Sequence, residues 1–100
     1  MTEYKIIWTP RAAENLKAIK EYIDVELCAP ESALKIAQEI YEGASSLAQM
    51  PQRCPKDKEV PEYRFLIVGN YFIYFRIKEP IQVVEISFIR NQRQQRLQII

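Results

Sequence analysis

One hundred residues, 48% of them hydrophobic, are enough for one domain (residues 1–100) whose core needs neither a metal nor a disulfide. The net charge is only +1, no apolar run approaches the roughly 18 to 20 residues of a membrane span, and Met1 leads into a strand-like segment instead of a signal peptide, so a soluble cytoplasmic protein without membrane contact is expected. The absence of histidine excludes Ser-His-Asp and Cys-His nucleophiles and imidazole zinc sites, and two glycines are too few for a P-loop or a GxGxxG turn, so neither a metal nor a cofactor is expected.

Tyr4 to Thr9 (YKIIWT) is rich in aromatic and β-branched residues and reads as a first strand. Thr9-Pro10 then looks like a helix start, because a Thr hydroxyl accepts an orphan backbone N–H and proline at the first helical position sacrifices no needed donor. Ala12, Leu16, Ile19, Ile23 and Leu27 follow at the spacing of one buried helical face. After the break at CAPES, Pro30 opens a second helix with its own stripe of Ala33, Ile36, Ala37, Ile40, Ala44 and Leu47. So short a connection predicts two antiparallel helices.

Pro51, Pro55 and Pro61 with mixed charge mark a surface loop. Tyr63 to Val68 and Tyr71 to Ile77 flank Gly69-Asn70, a link suited to a primed hairpin turn, and Lys78-Glu79-Pro80 leads to a last strand over Ile81 to Ile89. In that strand Val84, Ile86 and Phe88 should share one face, with Glu85 and Ser87 on the other. The expected fold is α+β, in the order β-α-α-β-β-β, with the helical hairpin on one face of a mostly antiparallel four-stranded sheet. Cys28 and Cys54 have no CxxC spacing and read as free thiols.

Residues 1–50 carry five Lys/Arg against eight Asp/Glu, whereas residues 51–100 carry nine against five. The second half therefore faces an anionic partner, nucleic acid or acidic protein. Arg90, Arg93 and Arg96 recur every three residues, forming either a ridge for phosphate or acidic side chains or a solvated tail. Arg64 alternates with Tyr63 and Phe65 and should project opposite to them; if that side of the sheet is open, a partner-facing role is favoured over a structural ion pair with Glu62 or Glu85. Tyr71, Phe72, Tyr74 and Phe75 suit either core packing or base stacking, with core packing favoured in a central strand. Lys56 and Lys58 read as ordinary surface residues. Leu97, Ile99 and Ile100 are too oily for a free tail and suit docking on the sheet or cover by a partner.

The element order, together with YKIIWTPRAAENLKAIKEYI, Pro51, YRFLIVGNYFIYFRI and VVEISFIRNQR, resembles the RelE/ParE superfamily of toxins over nearly the whole chain. The resemblance implies a toxin of a type II toxin–antitoxin system, held in a hetero-oligomer by a cognate antitoxin. Its members divide between ribosome-dependent mRNA endonucleases and inhibitors of DNA gyrase. Metal-free RNA cleavage needs a base, an acid and cations around the phosphate. In the RelE branch these look to be a lysine pair on the second strand, an arginine opening the third, another after the fourth and a C-terminal tyrosine. Here those places hold Arg64 and Leu66, Phe72, Arg90 or Asn91, and Leu97.

A carboxylate-based variant of the site would use Glu59 with Arg64 and Arg90. The ParE branch is more similar, through its tyrosine-arginine strand, glycine turn and aromatic third strand. That likeness implies growth arrest by poisoning DNA gyrase through binding, with no catalytic residue. Arg64, Arg90, Arg93 and Arg96 are then the candidate partner-binding residues. The alternative is a RelE-like endonuclease acting on ribosome-bound mRNA.

Overall fold

The computed structural model describes residues 3–92. Strand β1 (Lys5–Trp8) leads into helix α1 (Pro10–Glu21), followed by helix α2 (Pro30–Ser45), and strands β2 (Arg64–Val68), β3 (Tyr71–Lys78) and β4 (Val83–Asn91) complete the β-α-α-β-β-β order. Among the described residues the strands form a four-stranded sheet in the order β1-β4-β3-β2. The last three strands are an antiparallel meander, and β1 joins β4 in parallel. No helix among the described residues is long and apolar enough to cross a membrane.

The helix starts follow from their first residues. Thr9 Oγ1 accepts from the Ala12 N–H at 3.1 Å, and Pro10 occupies the first turn of α1. The same hydroxyl donates to the Ile86 or Ser87 carbonyl, at 2.9 or 3.0 Å, which pins the helix start to β4. Helix α2 begins at Pro30 without a side-chain cap.

The first apolar stripe departs from expectation at its end. Tyr22–Glu26 widen into a π-turn in which the Leu27 N–H reaches the Tyr22 carbonyl at 3.2 Å. A wider turn rotates less per residue, so the three-to-four spacing slips: Ile23 stays buried while Leu27 is 55% exposed. The second stripe holds, with Ala33, Ile40, Ala44 and Leu47 buried. Leu47 sits in the short 3₁₀ turn Ser46–Ala48 that continues α2.

Between helices and sheet lies a core containing Ala12, Ile40, Ala44, Leu47, Ile73, Phe75, Val84 and Ile86. Gly43 marks where α2 presses closest to the sheet: a Cβ there would sit 2.7 Å from Val68 Cγ2. The hairpin turn has positive φ only at Gly69 (58°), the II′ arrangement among the primed turns. The last strand starts two residues later than expected, because Glu79–Ile81 form a 3₁₀ turn that leaves Ile81 exposed and Gln82 at φ 56°.

One irregularity reassigns a face. Tyr74 pairs with Phe88 but Phe75 pairs with Ile86, so Ser87 is the extra residue of a β-bulge. Val84 and Ile86 face the helices, yet Phe88 turns to the opposite side, contrary to the alternation expected for an uninterrupted strand. Both cysteines are free, Cys28 exposed and Cys54 buried.

Candidate functional site

The face of the sheet away from the helices can be laid out from the strand register in four cross-strand rows. The first holds Lys5, Val83 and Lys78; the second Ile7, Glu85 and Arg76. The third holds Phe88, Tyr74 and Phe65; the fourth Arg90, Phe72 and Ile67. Half of this face is therefore charged and half aromatic.

In the aromatic half the rings pack on one another. Tyr74 stacks on Phe88 with centroids 4.6 Å apart, Tyr63 meets Phe88 edge-on at 5.5 Å, and Phe65 contacts both Phe72 and Tyr74. Guanidinium groups close the edges: Arg11 lies 4.6 Å over Phe88, and Arg90 lies 4.9 Å over Phe72 and 5.6 Å over Tyr74. Tyr74 and Phe75 are both fully buried, on opposite sides of the sheet, so the aromatic run packs as core.

A polar latch holds the proline-rich loop over this half. The buried Asp57 carboxylate accepts the Tyr74 hydroxyl at 2.9 Å through Oδ2, and through Oδ1 the N–H groups of Glu59 and Val60 at 2.8 and 3.1 Å. Backbone pairing adds to it, with the Phe65 N–H donating to Pro55 and the Asp57 N–H to Tyr63. Arg90 Nη2 completes the chain by donating to the Tyr74 hydroxyl at 3.3 Å.

The two predicted arginines within the described residues lie on opposite sides of the sheet. Arg90, 6% exposed, is built into the aromatic half. Arg64 projects opposite to Phe65, as its alternation implies, but that side is the one the helices cover. It pairs with core-facing Phe75, and its Nη1 donates to the carbonyls of Cys54 at 2.6 Å and Gln52 at 3.2 Å. Its contacts are these loop carbonyls rather than Glu62 or Glu85; Glu85 instead pairs with Lys78 at 3.2 Å. Arg93, Arg96, Leu97, Ile99 and Ile100 lie outside the described residues. Among the described residues, no three Cys, Asp or Glu side chains gather as a metal ion would require.

Two further features border this arrangement. A cleft of about 230 Å³ between α1 and the ends of β3 and β4 is lined by Asn15, Ile19, Tyr22, Tyr71 and Asn91 among others. Burial, and then the neighbouring Tyr22, push the Tyr71 phenol above its ordinary pKa. At the opposite end, Tyr4 donates to Glu79 at 2.7 Å while Gln52 donates to both, at 2.7 and 2.8 Å. The Tyr4–Glu79 bond raises the pKa of the phenol and lowers that of the carboxyl.

The family described as the ParE toxin of the parDE type II toxin–antitoxin system matches residues 6–96. The chain belongs to this family. Among solved structures, the toxin is similar to the chromosomal ParDE toxin–antitoxin system from P. aeruginosa, with 32% identity over 89% of this chain and 96% of that one and a TM-score of 0.77. It also shares its fold with the toxin–antitoxin complex RelBE2 from Mycobacterium tuberculosis, at 21% identity, coverage of 91% and 93% and a TM-score of 0.69. Comparison with curated proteins finds no match.

Several residues that shape the toxin's site escape a reading by type. Asp57 had a local signal, since an aspartate ahead of two free N–H groups commonly forms such a turn. Tyr74 had a weaker one, because a tyrosine in a buried strand must find a partner for its hydroxyl. Arg11 and Asn15 had none. Asn15 Oδ1 accepts the Ile89 N–H at 2.9 Å, beyond the point where β1 ends and can no longer pair with β4.

Proposed function

We propose that this one-domain toxin acts by adhesion to DNA gyrase, stabilising the enzyme's cleaved DNA complex. A cognate antitoxin silences it in a hetero-oligomer in the cytoplasm. The similarity to a ParDE system supports the branch. The observation that carries the reading is the separation of Arg64 from Arg90. Cleavage of RNA without a metal requires base, acid and cation to converge on one phosphate. Glu59, Arg64 and Arg90 are the groups available for a rewired nuclease site, and the sheet lies between the two arginines. Arg90 is moreover under cover, while Phe72 occupies the place of a phosphate-binding arginine.

Purified toxin incubated with gyrase and supercoiled plasmid should raise the yield of protein-linked DNA breaks while leaving ribosome-bound mRNA intact. In cells, induction without antitoxin should bring filamentation and a DNA-damage response before protein synthesis falls. Codon-positioned cuts in translated message at a catalytic rate would overturn the proposal.

A further inference from the structure

We infer that the charged half of the sheet face turned away from α1 and α2 is a sequence-independent contact strip for the phosphates of duplex DNA, formed by Lys5, Arg76 and Lys78 around Glu85. The toxin on this view touches DNA itself, and the inference does not depend on gyrase being the target.

Lys5 and Lys78 flank Val83 in one row, two strand spacings apart, or about 10 Å between backbones. Arg76 stands two residues along β3 from Lys78, about 7 Å away on the same side. These cations are largely unneutralised. Among the described residues Lys5 makes neither an ion pair nor a side-chain hydrogen bond, and the contact of Arg76 is the Tyr63 ring, 5.9 Å from its guanidinium. Glu85 opposes them and is engaged by Lys78 alone in a half-exposed pair, so the strip keeps an excess of positive charge.

The chemistry of the surroundings selects the partner. Single-stranded nucleic acid is held mainly by stacking on exposed rings. The rings bordering this strip are already occupied, Tyr63 beneath Arg76 and Phe88 beneath Arg11. An acidic peptide would seek a pocket for an apolar anchor, but Val83 is buried and Ile7, which is exposed, stands on a strand surface among the charges. What remains is a flat array of cations, suited to a rigid polyanion whose charges are already spaced along a surface.

The test is fluorescence anisotropy of a short labelled duplex titrated with the full-length toxin, without gyrase, between about 50 and 200 mM salt. Binding should be weak, with Kd on the order of 10⁻⁴ to 10⁻⁶ M, and log K should fall with log salt at a slope of roughly −2 to −3, as two to three phosphate contacts require. The double substitution Lys5→Glu with Arg76→Glu should weaken binding by at least about tenfold and flatten the slope. Glu85→Gln, which removes the opposing charge and releases Lys78, should tighten binding about two- to threefold. Unchanged thermal melting by circular dichroism verifies that each variant is folded. The inference fails if the double variant binds as the parent does, if Glu85→Gln fails to tighten binding, or if a labelled single strand or poly-glutamate peptide binds as well as the duplex.

Discussion

The two faces of this one sheet are closed by different physics. Toward the helices the cover is apolar and close-packed: Ile40, Ala44 and Leu47 of the α2 segment meet Ile73, Phe75, Val84 and Ile86. On the other face no helix is present among the described residues, and the sheet must supply its own cover. Its aromatic half does so with stacked rings, two arginines and a loop latched by Asp57, while its charged half is left to water. Non-directional packing tolerates few changes of volume but relies on no particular donor–acceptor pair, whereas the latched half depends on particular hydrogen bonds.

The largest way to break the contrast is at Tyr74, where both mechanisms meet. Tyr74→Ala should cost about 3–5 kcal/mol by removing a fully buried ring. Tyr74→Phe keeps the stack but leaves Asp57 without its hydroxyl donor, and should cost about 1–2 kcal/mol. Urea unfolding of the two variants separates packing from latch. If both cost the same, the latch is the whole of the effect and the ring contributes nothing beyond it.

The helix-covered face is probed from the opposite direction, by adding volume. Gly43→Val should destabilise by about 1–3 kcal/mol, because its branched side chain must enter space held by Val68. Gly43→Ala should do less, since the gain in helix propensity of about 1 kcal/mol offsets part of the clash. Pairing either with Val68→Ala should recover stability beyond the sum of the single changes, which a double-mutant cycle reads directly.

Next come two polar ties at the margins of the faces. Asn15→Leu leaves the Ile89 N–H without its acceptor where β1 has ended, a loss of about 1–3 kcal/mol, and faster amide exchange at Ile89 is the specific readout. Arg64→Ala frees the carbonyls of Gln52 and Cys54, which water can partly satisfy, so about 1 kcal/mol is expected. That variant should loosen the loop while retaining growth arrest. Loss of toxicity in a stably folded Arg64→Ala protein would instead assign the side chain to the partner.

Much of this arrangement is legible in the sequence itself. Thr9-Pro10 and Pro30 announced the helices because caps are local chemistry, and Gly69-Asn70 announced the hairpin because few residue pairs tolerate that turn. The parallel place of β1 beside β4 depends on contacts across most of the chain and has no local sign. The bulge at Ser87 was equally silent: nothing in Ile86-Ser87-Phe88 distinguishes it from plain alternation, yet one extra residue moved Phe88 and Arg90 together onto the face turned away from α1 and α2. Arg90 could be recognised as a cation, but not as a buried one, since its cover comes from Phe72 and Tyr74 on another strand. The π-turn at Tyr22–Glu26 likewise leaves no mark in composition.

The smallest expected effect lies at the exposed end of the sheet, where Tyr4 and Gln52 hold Glu79. Hydrogen bonding to its charged form lowers the folded-state pKa of Glu79. The unfolded chain therefore takes up this proton first as pH falls. The stabilisation is fully present above the ordinary carboxylate pKa and disappears as the pH drops through the depressed folded value. Tyr4→Phe removes the main cause of the shift, so stability should fall slightly at neutral pH, the acid limb of the stability–pH curve should flatten below about pH 4.5, and the two curves should converge in strong acid. The cluster is open to solvent, and salt should leave the difference largely intact because hydrogen bonds, not distant charges, dominate it. A Tyr4→Phe curve superimposable on the parent's from neutral pH through the acid limb would mean that Gln52 alone suffices to hold the carboxylate, and that this end of the sheet is tied through its loop instead of through Tyr4.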